Sequence, residues 1–155
     1  MAGKTEPRIA HLEVGKLAAC CYIVHAGSGG VSPETNAAPC VVVDPGGDAD
    51  FIDAAIRRLG LRLDAAFLTH AHADHIGGAE ALLALWPGAI LACSVETARR
   101  AVDPRLNLSV YMGDPVSAPQ ADRILADGEA FAMAGMPWRA VEVPGHDPGE
   151  MMYIL

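Results

Sequence analysis

Thr69-His70-Ala71-His72-Ala73-Asp74-His75-Ile76-Gly77-Gly78 places three histidines and an aspartate within six residues, between an apolar run and a glycine pair. Imidazole suits zinc, iron and copper, and a carboxylate adds a hard oxygen ligand, so the mixture fits a borderline divalent metal. In an extended segment, residues two apart point to the same side, so His70 and His72 can reach one ion together. Asp74 and His75 follow where the chain must turn, placed to face a second ion beside the first. The plain alternative is a polar loop that happens to be rich in histidine. The alternation of ligand types favours a metal site, and a catalytic one. Gly77 and Gly78 let backbone pass close to the site, or merely relax the turn into the next helix.

Working outward, Leu63 to Thr69 reads as a strand that delivers the chain into His70. Ala79 to Trp86 reads as a helix, stopped by Pro87-Gly88. Upstream, Ile9 to Val14 and Cys20 to Val24 read as strands, with a long loop of Gly, Ser, Pro and Asn from Ala26 to Pro39. Cys40 to Val43 is a short apolar run typical of a strand covered on both faces, and Asp44-Pro45-Gly46-Gly47 ends it. Asp48 is placed to cap a helix whose Phe51, Ile52, Ala55, Ile56 and Leu59 share one side, with Gly60 closing it. Downstream, Ala89 to Cys93 reads as a strand, Ser94 as the cap of a short helix through Arg100, and Asp103 to Gln120 as irregular. Asp127-Gly128 reads as a turn before a strand near Phe131. Trp138 to Val143 is a further strand, Pro144-Gly145-His146 a loop, and Met151 to Leu155 the start of another strand. Alternating strands and helices give an α/β class with layered packing. Neither a repeat nor a shift in composition divides residues 1–155, so a single domain is expected.

The chain has 155 residues, 52% hydrophobic and 19% charged, which describes a globular protein with a real core. Its formal net charge is −8, without a run of Lys or Arg, which disfavours nucleic acid and anionic membrane as partners. No stretch is long and apolar enough for a transmembrane helix, and the N-terminus lacks the apolar centre of a signal peptide, so a cytoplasmic location is expected. Cys20, Cys21, Cys40 and Cys93 lack Cys-x-x-Cys spacing and sit in apolar runs, so buried free thiols are expected, with Cys20 and Cys21 on opposite strand faces. His146 follows a strand at the far end of a chain whose ligand set is incomplete, which favours a metal role over a loop role. His11 and His25 lack that context and are assigned to surface or strand positions.

Taken together, these stretches resemble the metallo-β-lactamase-fold hydrolases. The segment Thr69 to Gly78 is similar to the signature of that family. Cys21-Tyr22-Ile23-Val24 resembles its early strand, and Val41-Val42-Val43-Asp44-Pro45-Gly46-Gly47 its strand-to-turn element. Pro144-Gly145-His146-Asp147-Pro148-Gly149 resembles its second histidine loop. Asn107-Leu108-Ser109, Ala121-Asp122-Arg123 and Asp127-Gly128 are similar to the glyoxalase II-like, or hydroxyacylglutathione hydrolase-like, branch. The resemblance implies the N-terminal and central part of an αββα sandwich. It further implies a first metal site of His70, His72 and His146, and a second site to which Asp74 and His75 contribute. Asp44 would steady the histidine loop from outside the ligand set, although an Asp before Pro-Gly also simply forms turns.

Three departures from the family pattern stand out. Cys20 occupies the position of the usual asparagine, and Asp147 that of the usual threonine or serine after the loop histidine. The sequence also ends at Leu155, within an apolar strand, before the bridging aspartate and last histidine that family members supply. Five ligands cannot give two ions four each without sharing or water. A fragment of a longer reading frame is therefore the expectation, with a naturally short protein keeping only the first site as its rival.

The activity implied by the resemblance is hydrolysis of a small-molecule thioester, such as a hydroxyacylglutathione, by metal-bound hydroxide. Asp74 would bind metal and orient that hydroxide as the catalytic carboxylate. The implied cofactor is zinc, two ions in an intact protein and one in a chain with only the first site. The rival enzyme is an iron-dependent persulfide dioxygenase on the same fold, since imidazole accepts either metal. A non-catalytic module binding one zinc through His70, His72 and His146 is the third reading.

Overall fold

The computed structural model describes residues 6–27 and 37–155. The expected long loop from Ala26 to Pro39 falls mostly on residues 28–36, outside the described residues. Six strands form the first sheet, in chain order: β1 (Arg8–Val14), β2 (Ala19–His25), β3 (Ala38–Val43), β4 (Leu61–Phe67), β5 (Ile90–Cys93) and β6 (Arg123–Ile124). The first three pair antiparallel, and β3 to β6 run parallel. The parallel connections carry helices α1 (Ala49–Arg58), α2 (Ala73–Ile76), α3 (Ala79–Leu85) and α4 (Val95–Ala101). A second sheet, β7 (Ala130–Met133), β8 (Met136–Glu142) and β9 (Met151–Ile154), is an antiparallel meander.

Side-chain alternation explains how these sheets stack. In β3 and β4, Val41, Val43, Ala65 and Phe67 pack with the second sheet, while Cys40, Val42 and Leu63 pack with α1 and α3. A strand covered on both faces must be apolar throughout, which is why Cys40-Val41-Val42-Val43 reads as an unbroken run. Phe67 lies at the centre of the inter-sheet core. Its ring centroid is 5.7 Å from Phe131, 5.2 Å from Trp138 and 4.9 Å from Tyr153, one residue from each strand of the second sheet. On the other face of the first sheet, Ile52, Ala55 and Ile56 of α1 and Leu82 of α3 are buried.

Several local expectations are corrected. Asp48 does not cap α1 with its side chain; its backbone is left-handed (φ 47°) and its Oδ2 accepts from the Gly15 N–H at 2.8 Å. That bond ties the β1–β2 turn to the start of α1. Phe51 and Leu59 are 52% and 44% exposed, so the buried stripe is narrower than expected. Phe51 lies one residue, about 100° of helical rotation, before Ile52, and Leu59 lies beyond the last helical residue. Cys20 is exposed, whereas Cys21, Cys40 and Cys93 are buried, with burial pushing each of those thiols up to about 12. The two-residue β6 is too short to leave a pattern. The segment Asp103 to Gln120 holds one turn of 3-10 helix (Ser109–Met112), and its Asn107 and Ser109 are fully buried. No described helix is long and apolar enough to cross a membrane.

Replacing Phe67 with alanine removes the ring that all three strands of the second sheet touch. Phe67→Ala is expected to cost about 3–5 kcal/mol of stability, read from urea unfolding midpoints.

Candidate metal centre

β4 ends at Phe67, and the chain leaves the sheet through Leu68 and Thr69. The chain bends at Thr69 and His70, and His72, extended in backbone (φ −63°, ψ 146°), is the N-cap of α2, which begins at Ala73. The two histidines still converge, with ring centroids 4.7 Å apart. The turn anticipated at Asp74-His75 is the single turn of α2.

Asp44 shapes this loop from the end of β3. It is 4% exposed and left-handed (φ 54°), a conformation Asp tolerates better than most residues. Its Oδ1 accepts from the Thr69 N–H at 2.7 Å, and its Oδ2 accepts from the Thr69 hydroxyl at 2.6 Å. The same Oδ2 lies 3.0 Å from His75 Nδ1. An ionised carboxylate only accepts, so His75 carries its proton on Nδ1. Thr69 has one O–H, directed at Asp44, so the His70 Nδ1 at 2.9 Å must donate to the Thr69 oxygen. Both imidazoles are thereby held with Nε2 bare.

The second histidine loop, residues 143–150, connects β8 to β9. Val143 N–H donates to Glu150 O at 2.9 Å, and Met151 N–H donates to Thr69 O at 2.8 Å, which joins the two histidine loops at their bases. The Gly149 carbonyl accepts from the hydroxyls of Ser94 at 2.8 Å and Thr97 at 2.9 Å, at the start of α4. A Cβ on Gly149 would meet the Thr97 backbone nitrogen at 2.6 Å, so this close docking requires glycine.

His146 is thus brought to His72, with His72 Nδ1 3.0 Å from His146 Nε2. Tetrahedral coordination with metal–nitrogen distances near 2.0–2.1 Å separates ligand nitrogens by about 3.3 Å, so this spacing fits a shared ion. Ligand atoms of His70, His72 and His146 all lie within 4.8 Å of one another. His70 Nε2 is buried and, among the described residues, has no hydrogen-bond partner. A buried, unpaired imidazole nitrogen is costly unless something binds it, and this donor set suits zinc or iron.

His75 lies beside His70 (ring centroids 4.1 Å), and its Nε2 is 3.6 Å from Asp74 Oδ2. Asp44, His70 and His75 also fall within 4.8 Å of one another, but the Asp44 oxygens are engaged by Thr69 and His75. Burial, then the charge of neighbouring histidines, pushes His70 down to about 4. Burial and His146 also lower His72. Burial acts downward on His75 as well, but the hydrogen bond and charge of Asp44 outweigh it and leave that residue raised.

Other residues shape the site from outside the set of metal ligands. Asn107 O accepts from the Ala73 N–H at 3.2 Å, while its side chain donates to Ala101 O and Val116 O, so a distant loop holds the start of α2. Thr69 relays Asp44 to His70. Arg100 of α4 lies 3.2 Å from the buried Asp147. A cleft of about 510 Å³, lined by Val24, Val43, Trp138 and Met151 among others, opens beside His70 and His75.

The chain matches the family model described as the Metallo-beta-lactamase superfamily over residues 35–154. It is 37% identical over 114 residues to a hydroxyacylglutathione hydrolase of Aeromonas hydrophila subsp. hydrophila, covering 74% of this chain and 37% of that protein. An atrochrysone carboxyl ACP thioesterase of Emericella nidulans is 33% identical over 107 residues, covering 69% of this chain and 28% of the relative. The chain therefore spans little more than a third of the length of the first of these relatives and less of the second. Among solved structures, the B3 metallo-beta-lactamase BLEG-1 superposes with a TM-score of 0.81 at 26% identity, over 94% of this chain and 66% of that one.

The Asp44-Pro45-Gly46-Gly47 turn touches α2 backbone to backbone: a Cβ on Gly46 would lie 1.6 Å from the Asp74 carbonyl oxygen. Gly46→Ala is expected to cost about 3 kcal/mol or more in thermal or urea unfolding. Gly88→Ala, where a Cβ meets nothing within 4 Å, should stay within about 0.5 kcal/mol of wild type.

Proposed function

The chain belongs to the metallo-β-lactamase superfamily, and on that premise we propose that it serves a metal-dependent hydrolase of small-molecule thioesters. His70, His72 and His146 hold one divalent ion, zinc by preference, and Asp74 and His75 contribute to a second. The observation that carries this reading is the buried, partnerless His70 Nε2 beside the closely spaced nitrogens of His72 and His146. When bound, the metal supplies Lewis-acid polarisation of a carbonyl and makes water acidic enough to ionise near neutral pH.

The protein's own groups define the remaining roles. Asp44 and Thr69 hold His70 and His75 in one tautomer, so their metal-facing nitrogens need no rearrangement. Asp74, beside His75 Nε2, offers a carboxylate to orient the attacking water and accept its hydrogen bond. His70 and His75 carry their proton on Nδ1, toward Thr69 and Asp44, and would turn a bare Nε2 to metal, so neither offers a proton to a departing group. That favours a substrate whose leaving group departs unaided. A thiolate, with a conjugate-acid pKa of about 8.5, is such a group, whereas an amine or alkoxide is not. Two relatives named for cleaving a glutathione thioester and an acyl carrier protein thioester support the same substrate class.

The purified protein is expected to hydrolyse a lactoylglutathione-type thioester, to lose that activity on chelation, and to regain it with zinc. His70→Ala or His146→Ala should lower kcat/KM by about 100-fold or more, the scale of removing one transition-state electrostatic contact. Iron in the purified protein, with oxygen uptake on glutathione persulfide, would instead establish the dioxygenase. Tight zinc binding without any thioesterase activity would leave only the binding module.

A further inference from the structure

We infer that Asp147 is a positioning residue for the histidine cluster: held by Arg100 and by its own loop, its carboxylate keeps the proton of His72 on Nε2 and leaves Nδ1 bare beside His146. The inference rests on the metal-site reading above and adds to it a residue at which the sequence departs from the pattern it otherwise resembles.

Asp147 is 1% exposed and directly follows His146. Its two oxygens have different surroundings. Oδ1 accepts from the Gly149 N–H at 3.0 Å and closes the turn that seats Gly149 against α4. Oδ2 has no hydrogen-bond partner among the described residues, yet lies 3.2 Å from Arg100 Nε and 3.7 Å from His72 Nε2. Arg100 Nε likewise lacks an aligned hydrogen bond, so the two groups form an ion pair by proximity alone. A buried carboxylate is costly unless its charge is balanced and its lone pairs are used. Arg100 balances the charge, and His72 Nε2, at 3.7 Å just beyond hydrogen-bond distance, faces the unused lone pairs.

The consequence for His72 follows from tautomer chemistry. A hydrogen bond at one ring nitrogen decides which nitrogen is left to bind metal. With the proton held on Nε2 by Asp147, Nδ1 presents its lone pair 3.0 Å from His146 Nε2. Without that carboxylate, the proton is free to move to Nδ1 and form a direct hydrogen bond to His146, which closes the space between the two nitrogens. Each imidazole of the His70–His75 segment then faces its own oxygen: Thr69 for His70 and Asp44 for His75 at hydrogen-bond distance, and Asp147 for His72 at 3.7 Å. A threonine or serine at 147 carries no charge and is shorter, so it cannot pair with Arg100 in this way.

The rival explanation is that Asp147 only builds the turn, through Oδ1. Asp147→Asn separates the two, because asparagine keeps an Oδ1 acceptor and the shape but loses the charge and puts an amide donor toward His72. Zinc affinity of wild type, Asp147→Asn and Asp147→Ala is read by competition with a chromophoric chelator. Unfolding midpoints of the metal-free proteins separate loss of fold from loss of affinity. The expected result is zinc binding weakened roughly 10–100-fold in Asp147→Asn, with ¹⁵N chemical shifts placing the wild-type His72 proton on Nε2. Wild-type affinity in Asp147→Asn would overturn the inference and leave the metal site standing. A wild-type protein that binds no zinc would overturn the metal reading itself. Should the variants fail to fold, the wild-type shifts decide: a His72 proton on Nδ1 sinks the inference.

Discussion

The carboxylate of Asp44 is the constraint on which the site depends. Its two oxygens accept from the backbone and hydroxyl of Thr69 and from His75, so one buried group at the end of β3 fixes the loop that leaves β4. These are charge-assisted bonds in a poorly solvated place, where each is stronger than its neutral counterpart in water. The cost of burying the charge is offset only because every contact is made. The left-handed backbone of Asp44 aims the carboxylate back toward β4 and sends the following glycines beneath α2.

Two rigid strands carry the histidines, and the loops between them are held by backbone as much as by side chains. β4 is central in the first sheet and delivers His70 and His72. The β8–β9 connection in the second sheet delivers His146. The inter-sheet core around Phe67 sets the separation of the two sheets, and the Met151 N–H to Thr69 O bond sets the separation of the two loops. Ser94 and Thr97 hold Gly149 from α4, while Asn107 holds Ala73. Loop residues ordered in this way can present metal ligands with little freedom to lose on binding, which is the usual advantage of a preorganised site.

Much of this was legible in the residues, for identifiable reasons. The Cys40 to Val43 run could be read as a doubly covered strand because burial on both faces leaves no place for a polar residue. Ser94 could be read as a cap, and it accepts from Thr97 N–H at 3.0 Å as that role requires. Asp48 misled because a residue that looks like a cap chemically was recruited by Gly15, distant in sequence. Phe51 and Leu59 misled because the sheet beneath α1 accepts a narrower stripe than the apolar residues suggest. Arg100 left no local trace, and Asn107 was marked only by the resemblance of its segment: what each does depends on partners brought near only by folding.

The sequence by itself determined the α/β class, the histidine–aspartate motif and the chemistry that such donors admit, because these rest on residue type and short-range spacing. Tertiary structure alone decided that His146 reaches His72 across seventy-four positions and that Asp44 and Thr69 fix the proton on two imidazoles. It alone decided as well that Asp147 lies buried between Arg100 and His72. The physical reason is the same in each case. A ligand's identity is written in its side chain, but its tautomer and direction are set by hydrogen bonds from other elements, and those exist only once the two sheets have packed.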